Sequence, residues 1–532
     1  MESQLAELPD DVAILKRIII TQAEEAQRLV ARHTAQHEEI TRLKLELLAA
    51  QEKYAALQRR FFGSSSEKTR ENPKQMLLFN EAETYANEPP PAPKVKVAAH
   101  ERLKRGRKPL PEHVPRNEIV HALSEEERRC PSCGSLRPEI GEERREEVRV
   151  IPAKTVIDVH VMKKYGPCSC TSCHGTDGQP IIQAAGPAKI VPGSRFSNST
   201  IAFFLASKYV DHQPFYRMEG ILSRFGIETS RATLCGLAIS AGRAIGDLVE
   251  AIKEAIKASE VVQMDETPVQ VLHERGRSAQ QGSYMWVARG FSEGKPLCLF
   301  HYHQSRSKEV ANGFLAGYRG FVQTDGYGGY DDVGNWPGVV HVGCLAHVRR
   351  KFYEAAKAGS EEATHFLAMV AELYHEEHAL RQAFSSRQLT KDAFLAQRQT
   401  LQKPKLEAMR AWLVAREGRS PPSLAFGKAV HYALGQWPRI ERYLEHDLLT
   451  PDTNAIEQAI RPFALGRKNW LFSNTPLGAH ASAGIYSLIE TAKANGHEPY
   501  RYLCYLFDEL PKRKTREEKL ALLPYRLAPD AY

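Results

Sequence analysis

The feature that narrows the fold most is the run of hydrophobic patterns between Glu260 and Lys357. EVVQMDETPVQV (260–271), GSYMWVARG (282–290) and PLCLFHYHQ (296–304) are rich in β-branched and aromatic residues and have strand length. SKEVANGFLAGY (307–318) reads as a helix. GFVQTDGYGGY (320–330) is a fourth strand ending in a glycine-rich turn, and GVVHVGC (338–344) is a fifth, running into the helix LAHVRRKFYEAAK (345–357). The expectation is a mixed sheet that begins with three antiparallel strands and is covered by helices. At 532 residues the chain is also too long for one core.

That element order is the one of the ribonuclease H-like fold, and acidic residues fall where such a sheet places chemistry. Asp265 lies inside the first strand and Asp325 at the end of the fourth, 60 positions later. Carboxylates on adjacent central strands can bridge divalent cations, one activating a water or a 3′-hydroxyl and the other stabilising the leaving oxygen. Mg²⁺ or Mn²⁺ suits such a site, because both prefer carboxylate and phosphate oxygens. A third carboxylate comes from TPDTNAIEQAIRP, where Asp452 or Thr453 caps a short helix, Glu457 lies inside it and Pro462 ends it. Arg461 stands one turn after Glu457, placed to pair with it or with a phosphate. A lone Asp is ordinarily a surface carboxylate; these three carry weight only together. Glu457 follows Asp325 by 132 residues, and the interval is almost wholly helical in pattern. It reads as a helical insertion ahead of the last catalytic helix.

The N-terminus carries a heptad ladder from Leu5 to Phe61, in which only Gln22, His33 and Gln36 of 17 positions are polar. A period of 3.5 residues held that long argues for a coiled coil starting after Pro9, and so for self-association. A Pro-rich linker follows, then a basic arm that includes Lys104, Arg105, Arg107 and Lys108. Cys130 and Cys133 form one C-x-x-C knuckle, Cys170 and Cys173 a second, and Val/Ile-rich alternation lies between them. Four such thiolates suit structural Zn²⁺ in a small ribbon, with Cys168 a spare for Cys170. Residues 200–245 read as two helices around Gly226, either a helix-turn-helix or an ordinary helical hairpin.

The resulting multidomain α/β organisation is a coiled-coil helix over 1–62, a linker and basic arm over 63–110 and a zinc-binding domain over 115–190. Helices over 195–255 come next, then the mixed-sheet core over 256–352 and 446–475, interrupted by the insertion over 353–445. A helical C-terminal tail closes the chain over 476–532. The formal net charge is +8 and the pI near 8.9, which suits a polyanionic partner without requiring one. No run of 18 apolar residues suggests a membrane span. The acidic start lacks a secretory signal, and five of nine cysteines crowd between Cys130 and Cys173, as a metal site in a reducing cytoplasm would have them.

Several stretches closely resemble transposases of the insertion-sequence 66 family: DETPV, TDGYGGY, GCLAHVRRKF, NAIEQAIRPFALGRKNWLF and GIYSLIETAKANGHEPYRYL. The order of parts upstream resembles them as well, from the zipper-like helix and the FGSSSEK turn through GRKPLP and the C-x-x-C pairs to YRMEG…SRATL. The resemblance covers nearly the whole chain. It implies a DDE-type transposase of bacterial mobile DNA, with a ribonuclease H-like core, accessory proteins from the same element, and Asp265, Asp325 and Glu457 as the triad. Its partner would be double-stranded DNA, both element ends and target, and its place the cytoplasm, at the nucleoid. Three departures stand out: Gln458 where the family usually has Arg, a turn less basic than usual in FGSSSEK, and the ambiguity introduced by Cys168. Arg349, Arg350 and Lys351, with Arg467, Lys468 and Trp470 after the catalytic helix, fit a DNA path. Trp470 would stack on an unpaired base there, unless it is core. His347 stands near the site in sequence, as a packed or surface residue or a positioning one. Two competing readings are a non-catalytic DNA-binding regulator derived from a transposase, and a ribonuclease H-like nuclease without strand transfer.

Overall fold

The computed structural model describes residues 11–62, 155–165, 182–183, 185–419 and 421–532. The basic arm (Lys104, Arg105, Arg107, Lys108), the zinc knuckles (Cys130, Cys133, Cys170, Cys173) and Cys168 lie outside the described residues. Helix α1 (Val12–Phe62) is continuous for 51 residues, about 77 Å at 1.5 Å per residue. It begins where the Asp11 carboxylate accepts the Ala13 amide. Lys164–Tyr165 (β1) and Ile182–Gln183 (β2) form a short antiparallel pair.

Helices α2 (Asn198–Tyr209), α3 (Phe215–Arg224), α4 (Arg231–Ala244) and α5 (Gly246–Lys257) precede the sheet. Its strands are β3 (Val261–Gln270), β4 (Gly282–Ser292), β5 (Lys295–His303), β6 (Gly320–Gln323) and β7 (Val339–Val342), in the spatial order β5-β4-β3-β6-β7. The first three are antiparallel neighbours. Glu293 and Gly294, both at positive φ, make the two-residue turn that joins β4 to β5. Helix α6 (Lys308–Leu315) carries the chain over to β6, which pairs parallel to β3, and β7 continues parallel to β6. Element order and mixed pairing are those expected from the sequence, and five strand boundaries fall close to the patterned stretches.

Beyond β7 run α7 (Leu345–Lys357), α8 (Glu361–Ser385), α9 (Lys391–Gln397), α10 (Lys403–Glu417) and α11 (Ala425–Ile440), with a π-helical turn at Arg398–Gln402. Their apolar faces, including Phe352, Phe366, Leu413 and Trp437, form a core with Val261 and Val342 of the sheet. The chain then enters α12 (Asn454–Trp470), α13 (Pro476–Ala494), α14 (Pro499–Glu509) and α15 (Arg516–Leu520).

Two expectations are corrected. Pro462 does not end the helix of Glu457 but lies inside α12. A proline there forfeits one hydrogen bond and strains the preceding turn; Phe463 and Gly466, buried after it, show the packing that holds the helix on course. The segment read as a C-terminal tail is part of the core, since α13 buries most of its length. On α13 the Ser487 hydroxyl accepts the Phe300 amide at 2.8 Å and the Thr491 hydroxyl accepts the Cys298 amide at 3.0 Å. The open edge of β5 is thereby satisfied by side chains rather than by another strand. α4 approaches α13 so closely that a Cβ at Gly242 would meet Ala481 at 2.8 Å. Among the described residues no single helix is long and apolar enough to cross a membrane.

Candidate functional site

Strand register brings Asp265 and Asp325 together. Gln263 of β3 lies opposite Gln323 of β6, and each Asp stands two residues further along its own segment. The two glutamine side chains are buried and hydrogen-bonded at 2.8 Å, and Arg289 donates to Gln263 at 3.0 Å. Asp265 remains within β3, paired opposite Val287. Asp325 is two residues past the end of β6 rather than in it, in a tight turn where its Oδ1 accepts the Tyr327 amide at 3.0 Å. Gly326 is required there, because a Cβ would stand 2.3 Å from the Tyr432 hydroxyl.

Glu457 reaches the same region through three ties at the start of α12. Gln323, which accepts from Gln263, donates its side-chain amide to the Thr450 carbonyl at 2.7 Å, and the Leu345 amide donates to the Pro451 carbonyl at 2.8 Å. Thr453, the N-cap residue, turns its hydroxyl to Cys344 Sγ at 3.1 Å, while the Asp452 carboxylate accepts the Asn454 amide at 3.0 Å. The Glu457 carboxylate then stands 3.9 Å from His347 Nε2 and 3.8 Å from Arg350 Nη2. Arg461, expected as its partner, makes no ion pair with it and faces outward.

Burial, and then the negative charges of Glu266, Asp325 and Glu457, push the Asp265 carboxyl up to about 7, although it accepts the Glu266 amide at 2.8 Å. Asp325 and Glu457 therefore stand close enough for their charges to act on Asp265. Among the described residues, no three His, Cys, Asp or Glu side chains lie close enough to hold one ion. The donor set is nevertheless of the oxygen-only, anionic kind that a hard divalent cation would draw together.

The sequence reading passed over a second layer. Glu266 accepts from Arg306 at 2.6 Å and from the Tyr330 hydroxyl at 2.5 Å, and burial still raises its carboxyl. Arg306 stacks on Tyr327 at 3.8 Å from the ring centre. The only hint was the adjacency of two acids in DET; the partners are 40 and 64 residues away. His347, weighed as a packed or surface residue, belongs to the site: burial lowers its imidazole and Nδ1 has no hydrogen-bond partner. Of the cations expected on a DNA path, Arg350 and Lys351 are exposed on α7, and Lys468 is exposed on α12. Arg467 donates to Thr267 at 3.1 Å. Trp470 is half-buried against Tyr209 and Tyr486, with Lys208 at 4.4 Å over its ring. It is occupied by the core rather than offered to a base.

Three family models match the chain in succession. "Transposase C of IS166 homeodomain" matches residues 49–119, "Transposase IS66 family" residues 193–481 and "IS66 C-terminal element" residues 487–525. Similar relatives include three uncharacterized proteins of Sinorhizobium fredii (strain NBRC 101917 / NGR234). Protein y4qI is 30% identical over 99% of both chains. Protein y4jD is 28% identical over 79% of this chain and 82% of its own, and y4hP 26% identical over 75% and 72%.

Proposed function

As the chain belongs to the transposase IS66 family, we propose that it is a DDE-type DNA transposase with a ribonuclease H-like core. In this reading it hydrolyses a phosphodiester at each element end and transfers the freed 3′-hydroxyl into target DNA. The observation that carries it is the buried Asp265 carboxyl, raised by the nearby charges of Asp325, just past the end of β6, and Glu457 on α12. Mg²⁺ or Mn²⁺ held by these carboxylates would activate the nucleophile and stabilise the leaving oxygen. The chain's own part is to fix the carboxylates. Gln323 ties β6 to the approach of α12, Arg306 and Tyr330 hold Glu266 beside Asp265, and Arg350 sets a positive charge near Glu457 for the scissile phosphate.

The rest of the assembly follows from the sequence. Zn²⁺ on Cys130, Cys133, Cys170 and Cys173 would fold the small domain, and the basic arm would grip the duplex. α1 would join copies of the chain, in a cytoplasmic complex at the nucleoid that accessory proteins of the same element assist. The test is a gel assay of nicking and joining on element-end DNA with Mg²⁺. Joining by the wild type, lost by at least a hundredfold in Asp325→Asn, is the expected result. Equal activity of the variant would leave a DNA-binding regulator; nicking without joining would leave a nuclease.

A further inference from the structure

The exposed face of α12 does not stop at the carboxylate. From Glu457 it continues through Gln458, Arg461, Leu465 and Lys468 at helical spacing, all exposed. At its end stand Leu471, 63% exposed, and Phe472, 41% exposed. No acidic residue occurs between Glu457 and Glu490, whereas Arg461, Arg467 and Lys468 do. An apolar tip at the end of a helix whose exposed face carries Arg461 and Lys468 is complementary to a polyanion with an apolar interior.

The backbone at this tip is unusual. Leu471 adopts φ 68 and ψ −47, and the Phe472 amide donates to the Trp470 carbonyl at 2.8 Å. This is the rare, strained γ-turn, at a leucine rather than a glycine. Both flanks hold it. Trp470 is packed on Tyr209 and Tyr486, while Ser473 bridges to Val271, donating to the Gln270 carbonyl at 2.9 Å and accepting the Leu272 amide at 3.0 Å. A strained turn clamped on both sides presents its apolar side chains outward in one fixed geometry.

We propose that Leu471 and Phe472 are a wedge that unstacks a base step of the bound duplex, with Lys468 on a flanking phosphate and Arg461 on the backbone between the wedge and the carboxylates. The proposal rests on the transposase reading above. DNA-binding proteins that kink a duplex insert leucine or phenylalanine between base steps, and cationic neighbours hold the backbone. The position follows with α12 lying along the duplex axis, the pose that sets both Arg461 and Lys468 against the backbone. Leu471 lies 14 residues beyond Glu457, about 21 Å along a helix, and about 3.4 Å of duplex per base pair makes that about six pairs from the scissile phosphate.

The test uses the full chain and pre-cut duplexes carrying the terminal base pairs of the DNA element that encodes it. 2-Aminopurine is placed in turn at each of the third to ninth positions. The wild type is expected to raise fluorescence several-fold at one or two adjacent positions near the sixth. Leu471→Ala/Phe472→Ala should abolish that signal, with duplex affinity kept within about threefold to tenfold and melting temperature unchanged. Lys468→Ala should weaken binding without moving the signal. Flat fluorescence on a duplex that is bound and joined overturns the wedge and leaves the transposase reading standing; failure to bind duplex overturns both. A signal undiminished in the double variant, or a double variant whose oligomeric mass falls, overturns it in favour of a surface used between copies of the chain.

Discussion

At Asp265, burial and three neighbouring carboxylates all oppose ionisation, and the consequence has a definite sign. A folded-state carboxyl at about 7 favours the native state while protonated, and that contribution is lost as pH rises from the ordinary carboxylate range through 7. Asp265→Asn is therefore expected to stabilise the metal-free protein by about 2 kcal/mol at pH 8, the gain shrinking toward pH 4. Thermal melts in a chelator across that range measure it; equal stabilisation at every pH would contradict the charge argument. Mn²⁺ should raise the melting temperature of the wild type at pH 8 and leave Asp265→Asn unmoved. The candidate carboxylates Asp265, Asp325 and Glu457 were legible in the sequence because each sits in a distinctive stretch. The grouping of Glu266, Arg306 and Tyr330 was not, since only the fold brings Arg306 and Tyr330 within 2.6 Å of the Glu266 oxygens.

Among secondary-structure elements, the helical insertion holds the segment leading to Glu457 through Arg398 and Arg381. Arg398, in the π-helical turn, is fully buried; it grips Glu377 at 2.5 and 3.1 Å and donates to the carbonyls of Tyr443, His446 and Leu449. Those carbonyls belong to the segment that leads into α12 and Glu457. Arg398→Met leaves the buried Glu377 with Arg381 as its remaining cation and strips three buried carbonyls of a donor, so it should cost about 3–5 kcal/mol. Denaturant unfolding would measure the loss, and Arg398→Met/Glu377→Leu should recover much of it. If joining is also assayed, Arg398→Met should lose activity without touching DNA. Gln323→Leu, which removes the tie to Thr450, should lower joining by at least tenfold while costing about 1–3 kcal/mol of stability. Periodicity made the insertion legible as helices. It could not show what they hold, because Glu377 and Arg398 are a turn and a helix apart in sequence and meet only in the core.

For the whole molecule, the ladder on α1 leaves Ile19, Leu29, Ile40, Leu43, Leu47 and Tyr54 at least half exposed. So many apolar side chains on one long helix call for a partner helix. Removing residues 1–62 should lower the oligomeric mass in light scattering and leave the melting transition of the remaining chain within a few degrees. An unchanged mass would assign self-association to another surface.

Strands, their succession and the helices between them could be read along the chain, because periods of two and of 3.6 residues are local properties. The sequence also marked Asp265, Asp325 and Glu457, since each lies in a stretch whose local pattern is distinctive. How far α12 runs through Pro462, that Arg350 rather than Arg461 stands near Glu457, and that Trp470 packs on the core while Leu471 faces outward emerged only on folding. Each of those outcomes depends on which surfaces pack together, and packing pairs residues that lie far apart along the chain.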